Sequence, residues 1–201
     1  TEQRPSQLQD LENTLLLLSD IPGKSFESIL SKMDSNAPEG AVRLTLTKQE
    51  TKGRGAFLFN NHGARFTGPH RASFAYENSF IPNHSTAISG LASLPGGNEL
   101  WAVSATHSIK ILPEVGINLS IGHTVSEPGY TLSSLGIESR STNWGIGVDW
   151  QIVRQRQHNI KIGATLDARN VNTDILDSPL TRDRIRAVRL STAYNGNDAF
   201  I

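Results

Sequence analysis

The chain has 201 residues, 19 of them basic and 19 acidic, so its formal net charge is zero, and cysteine is absent. That balance removes any global electrostatic case for nucleic acid or for a basic partner, and the missing thiols exclude disulfide frameworks and thiolate metal sites. Hydrophobic residues make up 37% and mean hydropathy is −0.31; no run approaches the ~20 apolar residues of a transmembrane helix, although such a scan is blind to barrels.

The chain begins at Thr1 rather than Met, carries no signal peptide and stops abruptly after Phe200-Ile201, which reads as a piece of a longer precursor. From Ser6 to Leu18, Leu8, Leu11, Leu15 and Leu18 recur at spacings of three and four, with Glu12 and Asn13 between them. This predicts an amphipathic helix, N-capped by Ser6 and stopped by Ile21-Pro22-Gly23. Two strands are expected next, Ser25–Met33 and Ala41–Lys48, the second alternating Val42, Leu44 and Leu46 against Arg43, Thr45 and Thr47. A loop from Asp34 to Gly40 joins them, giving a small helix–strand–strand unit.

Beyond Gly53 no further helix is suggested. Eight strands are expected at Gly55–Asn60, Arg71–Glu77, Thr86–Ala92, Glu99–His107, Gly116–His123, Ser141–Val153, Asn159–Ala168 and Arg184–Tyr194, with turn signals such as Pro95-Gly96-Gly97-Asn98 and Asp177-Ser178-Pro179 between them. Without crossover helices, consecutive strands pair antiparallel, up and down. The connections at Arg154–Gln157 and Pro95–Asn98 read as tight, those at His123–Arg140 and Asn170–Arg182 as long polar loops.

The clearest hairpin lies between Ser141 and Arg169. Trp144, Ile146, Val148, Trp150 and Ile152 take every second position against Asn143, Gly145, Gly147, Asp149 and Gln151. Alternation resumes as Ile160, Ile162, Ala164 and Leu166 against Lys161, Gly163, Thr165 and Asp167. Globular strands usually run about 5–6 residues, whereas a tilted strand crossing a bilayer needs roughly 9–11. The tryptophans near the stripe's ends suit interfacial girdles, and the polar stripe suits a watery lumen lined by Asp149, Lys161 and Asp167. A complete eight-stranded membrane barrel or a soluble β-sandwich with one buried face fits the same periodicity.

Motifs of catalysis and ligation are weak. Gly23-Lys24-Ser25 lacks the upstream glycine of a phosphate loop, Leu18 standing in its place. The six histidines fall in separate strands and turns without ligand spacing and read as solvated or lumen residues. Asp149 and Asp167 read as lumen carboxylates rather than an acid–base pair. No catalytic, cofactor or metal site is predicted.

Several stretches carry a family resemblance. Leu11-Glu-Asn-Thr-Leu-Leu-Leu-Leu-Ser-Asp-Ile-Pro-Gly23 resembles the last helix of a POTRA domain in the TpsB outer-membrane transporters of two-partner secretion, the haemolysin secretion/activation family. Asn60-Asn-His-Gly-Ala-Arg-Phe-Thr-Gly68 resembles the segment entering that family's barrel. Gly129–Leu132 with Ile137–Ser141, Val153–Arg156, and Asp174–Leu176 with Asp183–Leu190 resemble successive loops and hairpins. The family's Val-Arg-Gly-Tyr loop motif and final strands are not present, and Ser79-Phe80-Ile81-Pro82 replaces its Leu-Leu-Gly turn.

The resemblance implies a mainly β chain: the C-terminal part of an α+β POTRA domain at residues 1–50, then roughly the first eight antiparallel strands of a transmembrane β-barrel at 51–201. It implies a monomeric, non-enzymatic outer-membrane pore with its POTRA part in the periplasm. The pore would export a TpsA-like exoprotein of haemolysin or adhesin type. The partners it implies are that cargo and outer-membrane lipid, with no nucleic acid and no cofactor. Cargo would add as a strand along Ser25–Lys32, with Phe26, Ser28 and Leu30 at that edge.

Overall fold

A computed structural model of the chain describes residues 8–33, 41–50, 53–94 and 99–196. The predicted Ser6 cap, the Asp34–Gly40 loop and the Pro95–Asn98 turn lie outside the described residues. The helix α1 (Leu8–Ser19) is followed by β1 (Lys24–Lys32) and β2 (Val42–Glu50), which form a two-stranded antiparallel sheet. The turn out of α1 depends on Gly23. Its φ of +70° favours glycine, and a Cβ there would lie 2.2 Å from the Ser79 Cβ, so only a bare backbone can approach that closely.

Eight strands then pair in sequence order. They are β3 (Gly53–Asn60), β4 (His70–Asn78), β5 (His84–Leu94), β6 (Leu100–Lys110), β7 (Val115–Ser126), β8 (Ile137–Arg154), β9 (His158–Ile175) and β10 (Ser178–Gly196). Every neighbouring pair is antiparallel, the meander expected from the sequence. The sheet is open: β3 is bonded only to β4 and β10 only to β9. This argues against the closed eight-stranded barrel, which needs the first strand to pair with the last. Nor, among the described residues, does a second large sheet accompany the first, as a sandwich would require; the other sheet is the two-stranded β1–β2.

The boundaries differ from the sequence reading in one instructive place. Asn170–Arg182 is not a long polar loop. β9 and β10 continue through it to the two-residue turn Leu176-Asp177, so β8, β9 and β10 reach 18, 18 and 19 residues. Polar residues there mark strands that have left the apolar band, not chain that has left the sheet. Two short 3-10 turns, Arg65–Thr67 and Tyr130–Leu135, interrupt what was expected to be helix-free.

The sides of the sheet are unequal. On the edge nearest α1, the connections 79–83, 111–114 and 155–157 are all short. On the other edge lie the two-residue turn 176–177 and the longer 61–69 and 127–136, the last two of which meet through the Gly129 amide to the Phe66 carbonyl at 2.8 Å and the Phe66–Tyr130 ring contact. Gly68, at φ +82° and packed on Ser93, lets the first of these loops fold back over the sheet.

The faces are inside out relative to a soluble protein. On β8, Trp144, Ile146, Val148 and Trp150 are between 43% and 50% exposed, while Gly145 and Gly147 in the gaps are buried. Register puts them beside Ile121, Leu119, Ile117 and Val115 of β7 and beside Ala168, Leu166, Ala164 and Ile162 of β9. Only Leu17, Val125 and Ala168 are buried apolar residues among those described. A folded monomer of 21.9 kDa exposes roughly 9,300 Å² by area–mass scaling, whereas this chain exposes 14333 Å².

The β9–β10 turn holds both Leu176 (φ 50°) and Asp177 (φ 58°) in the left-handed region, as tight hairpin turns demand. A leucine there costs about 1–2 kcal/mol. Leu176→Asn with Asp177→Gly in the full-length protein is expected to raise stability by about 1 kcal/mol, measured as a higher temperature for loss of the folded gel mobility.

Candidate functional site

The polar face is built by the strand positions that alternate with the apolar stripe. Asp149, Lys161 and Asp167, the three predicted lumen residues, all lie on it. Ser108 Oγ donates to Asn118 Oδ1 (2.8 Å), and Asn118 Nδ2 donates to Asp149 Oδ1 (2.6 Å). Lys161 Nζ sits 3.2 Å from Asp149 Oδ2, so four strands, β6 to β9, are bridged by one chain of polar contacts. Asp167 is paired with Arg189 across β9 and β10, and Arg169 Nε donates to Ser141 Oγ at 3.1 Å. Small residues keep the rest of this face open, as in the pairs Ser120–Gly145, Gly147–Thr165 and Gly163–Ser191.

At the short-turn edge this face ends in a recess of about 540 Å³ lined by Asn118, Asp149, Lys161, Asn159, Arg154 and Asp20. The last two belong to different units. Arg154 Nε and Nη2 donate to the two carboxylate oxygens of Asp20 at 2.7 and 2.9 Å, and Arg154 Nη1 donates to Asn159 Oδ1 at 3.0 Å. This bidentate geometry is the strong form of a guanidinium–carboxylate pair. It raises the Arg154 guanidinium above its ordinary value, chiefly through the Asp20 hydrogen bonds, so that it stays charged at any physiological pH. Glu12 is paired with Arg156 in the same turn, and Lys24 Nζ donates to Asn83 Oδ1 at 3.3 Å. Glu12, Leu16 and Asp20 are spaced four apart, so one helical face meets the β8–β9 turn.

Phe26, Ser28 and Leu30 occupy alternate positions of β1 and line a groove of about 450 Å³ with Leu11, Leu15 and Leu16 of α1 and with Arg156. They share one face of the strand, and β1 is bonded to β2 alone among the described strands.

Sequence reasoning missed two arrangements. Glu12 was read as wet filler between leucines, yet it and Asp20 dock α1; acids spaced by eight on a helix beside a basic Arg154-x-Arg156 turn were the available signal. His84 and His107 were read as solvated or lumen residues. They instead sit on the apolar face, where His84 Nδ1 and His107 Nε2 lie 3.0 Å apart and Thr86 Oγ1 lies 2.8 Å from His107 Nδ1. Only the β5–β6 register brings them together. No metal-binding group of three or more His, Cys, Asp or Glu side chains occurs among the described residues.

No protein-family model matches the chain, and no curated protein matches it in sequence. Solved structures do. CdiB from Escherichia coli superposes on 98% of this chain with a TM-score of 0.79 at 14% identity. The fold is similar to part of CdiB. CdiB from Acinetobacter baumannii gives a TM-score of 0.66 over 88% of the chain at 11% identity. This chain spans 38% and 35% of those two proteins. The likeness covers α1 and both sheets, so the mainly β architecture with its helix–hairpin unit is one that CdiB also adopts.

The docking contacts make a measurable claim. A hydrogen bond to a charged group is worth about 1.5–3 kcal/mol, so Asp20→Asn or Arg154→Gln should lower the docked-to-undocked ratio about tenfold or more. With spin labels at Thr14→Cys and Gln157→Cys in the full chain, each variant should broaden a narrow distance distribution. The double variant should broaden it no further than either alone.

Proposed function

We propose that this chain forms part of the wall and the periplasmic entrance of a TpsB-type outer-membrane pore that exports a partner exoprotein. The observation that carries this reading is the inverted sheet. In water, an uncovered stripe from Trp144 to Ile152 would be an aggregation hazard; in hydrocarbon it is the lipid-facing surface, with the polar face turned to a lumen. On β9 the apolar positions run from Ile160 to Ala168, nine residues, which suits the roughly 9–11 that a tilted strand needs to cross. The free edges of β3 and β10 need partners in a bilayer, which accords with a barrel of more strands. The fold likeness to CdiB supports the same reading.

Orientation follows from the connections. Long loops face outward in such barrels and the periplasmic side carries short turns alone, so the edge of 79–83, 111–114 and 155–157, none longer than five residues, is assigned to the periplasm, where α1 and its hairpin dock. We assign residues 1–50 to the end of a POTRA domain and 51–201 to barrel wall. The groove at Phe26, Ser28 and Leu30 is where an extended TpsA-like segment of haemolysin or adhesin type would add to the β1 edge. The Asp20–Arg154 pair then holds that groove beside the polar recess that opens onto the lumen. The chemistry is passage, not catalysis. The intact protein is proposed to be a monomer in outer-membrane lipid, without cofactor or nucleic acid.

Planar-bilayer recording with the full-length protein tests this. The protein is expected to conduct ions, and Asp149→Asn with Asp167→Asn should shift the reversal potential toward lower cation preference, because two lumen carboxylates are removed. Recovery of the protein in the soluble periplasmic fraction without detergent would sink the reading.

A further inference from the structure

Above the Trp144 end of the apolar band, the outward face changes character within three rows. Register reads Ile146–Leu166–Val188, then Trp144–Ala168–Arg186, then Thr142–Asn170–Arg184, then Arg140–Asn172–Arg182 across β8, β9 and β10. All four arginines are exposed. Successive same-face rows are about 6.8 Å apart along the strands, so the arginines begin at the edge of the apolar band and climb through the depth of a headgroup layer. The next row, Glu138–Asp174–Pro179, is acidic and closes the patch.

The side chains are partly pre-set. Arg186 Nη2 donates to Asn170 Oδ1 at 2.9 Å and its Nη1 to the Ile185 carbonyl at 2.7 Å, which holds the guanidinium along the sheet. Arg140 is paired with Glu138. Arg182 and Arg184 make no side-chain hydrogen bond or ion pair among the described residues, leaving planar forks suited to phosphate oxygens. The opposite end of the band shows no such cluster. The outward strand positions there, including Tyr76, Asn78, His84, Trp150, Ile160 and Tyr194, carry no lysine or arginine among the described residues.

We propose that Arg182, Arg184 and Arg186 form a binding surface for the phosphates of an outer-leaflet glycolipid of the lipid A type. This rests on the outer-membrane reading above and adds to it a specific headgroup on the side of the long loops. An anionic glycolipid confined to one leaflet would seat on a cation cluster confined to one end of the band, fixing the depth and direction of the barrel. Each arginine facing an anionic surface contributes a factor of roughly five in affinity.

The test uses the full-length protein in phosphatidylcholine vesicles, titrated with bisphosphorylated lipid A and followed by its unfolding temperature. Lipid A is expected to raise that temperature, with the midpoint shifting roughly fivefold for R184A and further for R182A/R184A. Neither residue makes a side-chain bond that holds the strand, so both variants should insert normally. Dephosphorylated lipid A or inorganic phosphate giving the same shift, or R182A/R184A matching the parent protein, overturns the headgroup surface while the inserted protein leaves the outer-membrane reading standing. Failure of the parent protein to insert at all overturns both.

Discussion

The backbone ladder from β3 to β10 is the constraint on which the rest depends. Inside hydrocarbon every N–H and C=O needs a partner, and only paired strands or helices provide one for each residue. Once eight strands are zipped in sequence order, the period of two fixes the side chains: whatever sits at Trp144 must share a face with Ile121 and Ala168, and whatever sits at Asp149 must share the other with Gly116 and Gly163. A slip of one residue in any pair would exchange the apolar and polar sets between the two faces. The sheet therefore carries its orientation in its register, not in a hydrophobic core, which the described residues do not contain.

That inversion explains features which look unfavourable one at a time. Val188 and Leu190, 72% and 81% exposed, cost nothing when their solvent is lipid. Gly145 and Gly147 are poor strand residues on propensity, but they sit on the polar side where larger groups would crowd Asp167 and Thr165. Ion pairs such as Asp167–Arg189 lie on the same side, in water. At the short-turn edge the chain uses contacts of the ordinary soluble kind: a partly buried bidentate pair between Asp20 and Arg154 and a glycine at position 23 shaped by the approach of Ser79.

Much of this was legible in the residues. The alternation at Trp144–Ile152 and Ile160–Leu166 is a local signal that register converts directly into two faces, and the order of turns gives the meander. What stayed hidden depends on distance. Asn170–Arg182 looked like loop because its strands leave the apolar band and their outward positions become polar and cationic, so periodicity in hydrophobicity vanishes while pairing continues. The pairing of His84 with His107, like that of Asp20 with Arg154, 134 residues apart in the chain, is written in the packing of one element on another. Local pattern carries no trace of the first, and of the second only the spaced acids Glu12 and Asp20 and the basic turn at Arg154 and Arg156.

The absence of cysteine makes the central claim directly accessible, because single thiols can be placed on either face. In the full-length protein in outer membranes, Val148→Cys, Leu166→Cys and Leu119→Cys should resist a membrane-impermeant maleimide and react with a lipid-soluble one. Thr165→Cys, Ser120→Cys and Ser191→Cys should show the reverse. Strict alternation along β7 and β9 is the predicted result. Equal reaction of both sets with the aqueous reagent would contradict the account, since it would place the apolar face in water.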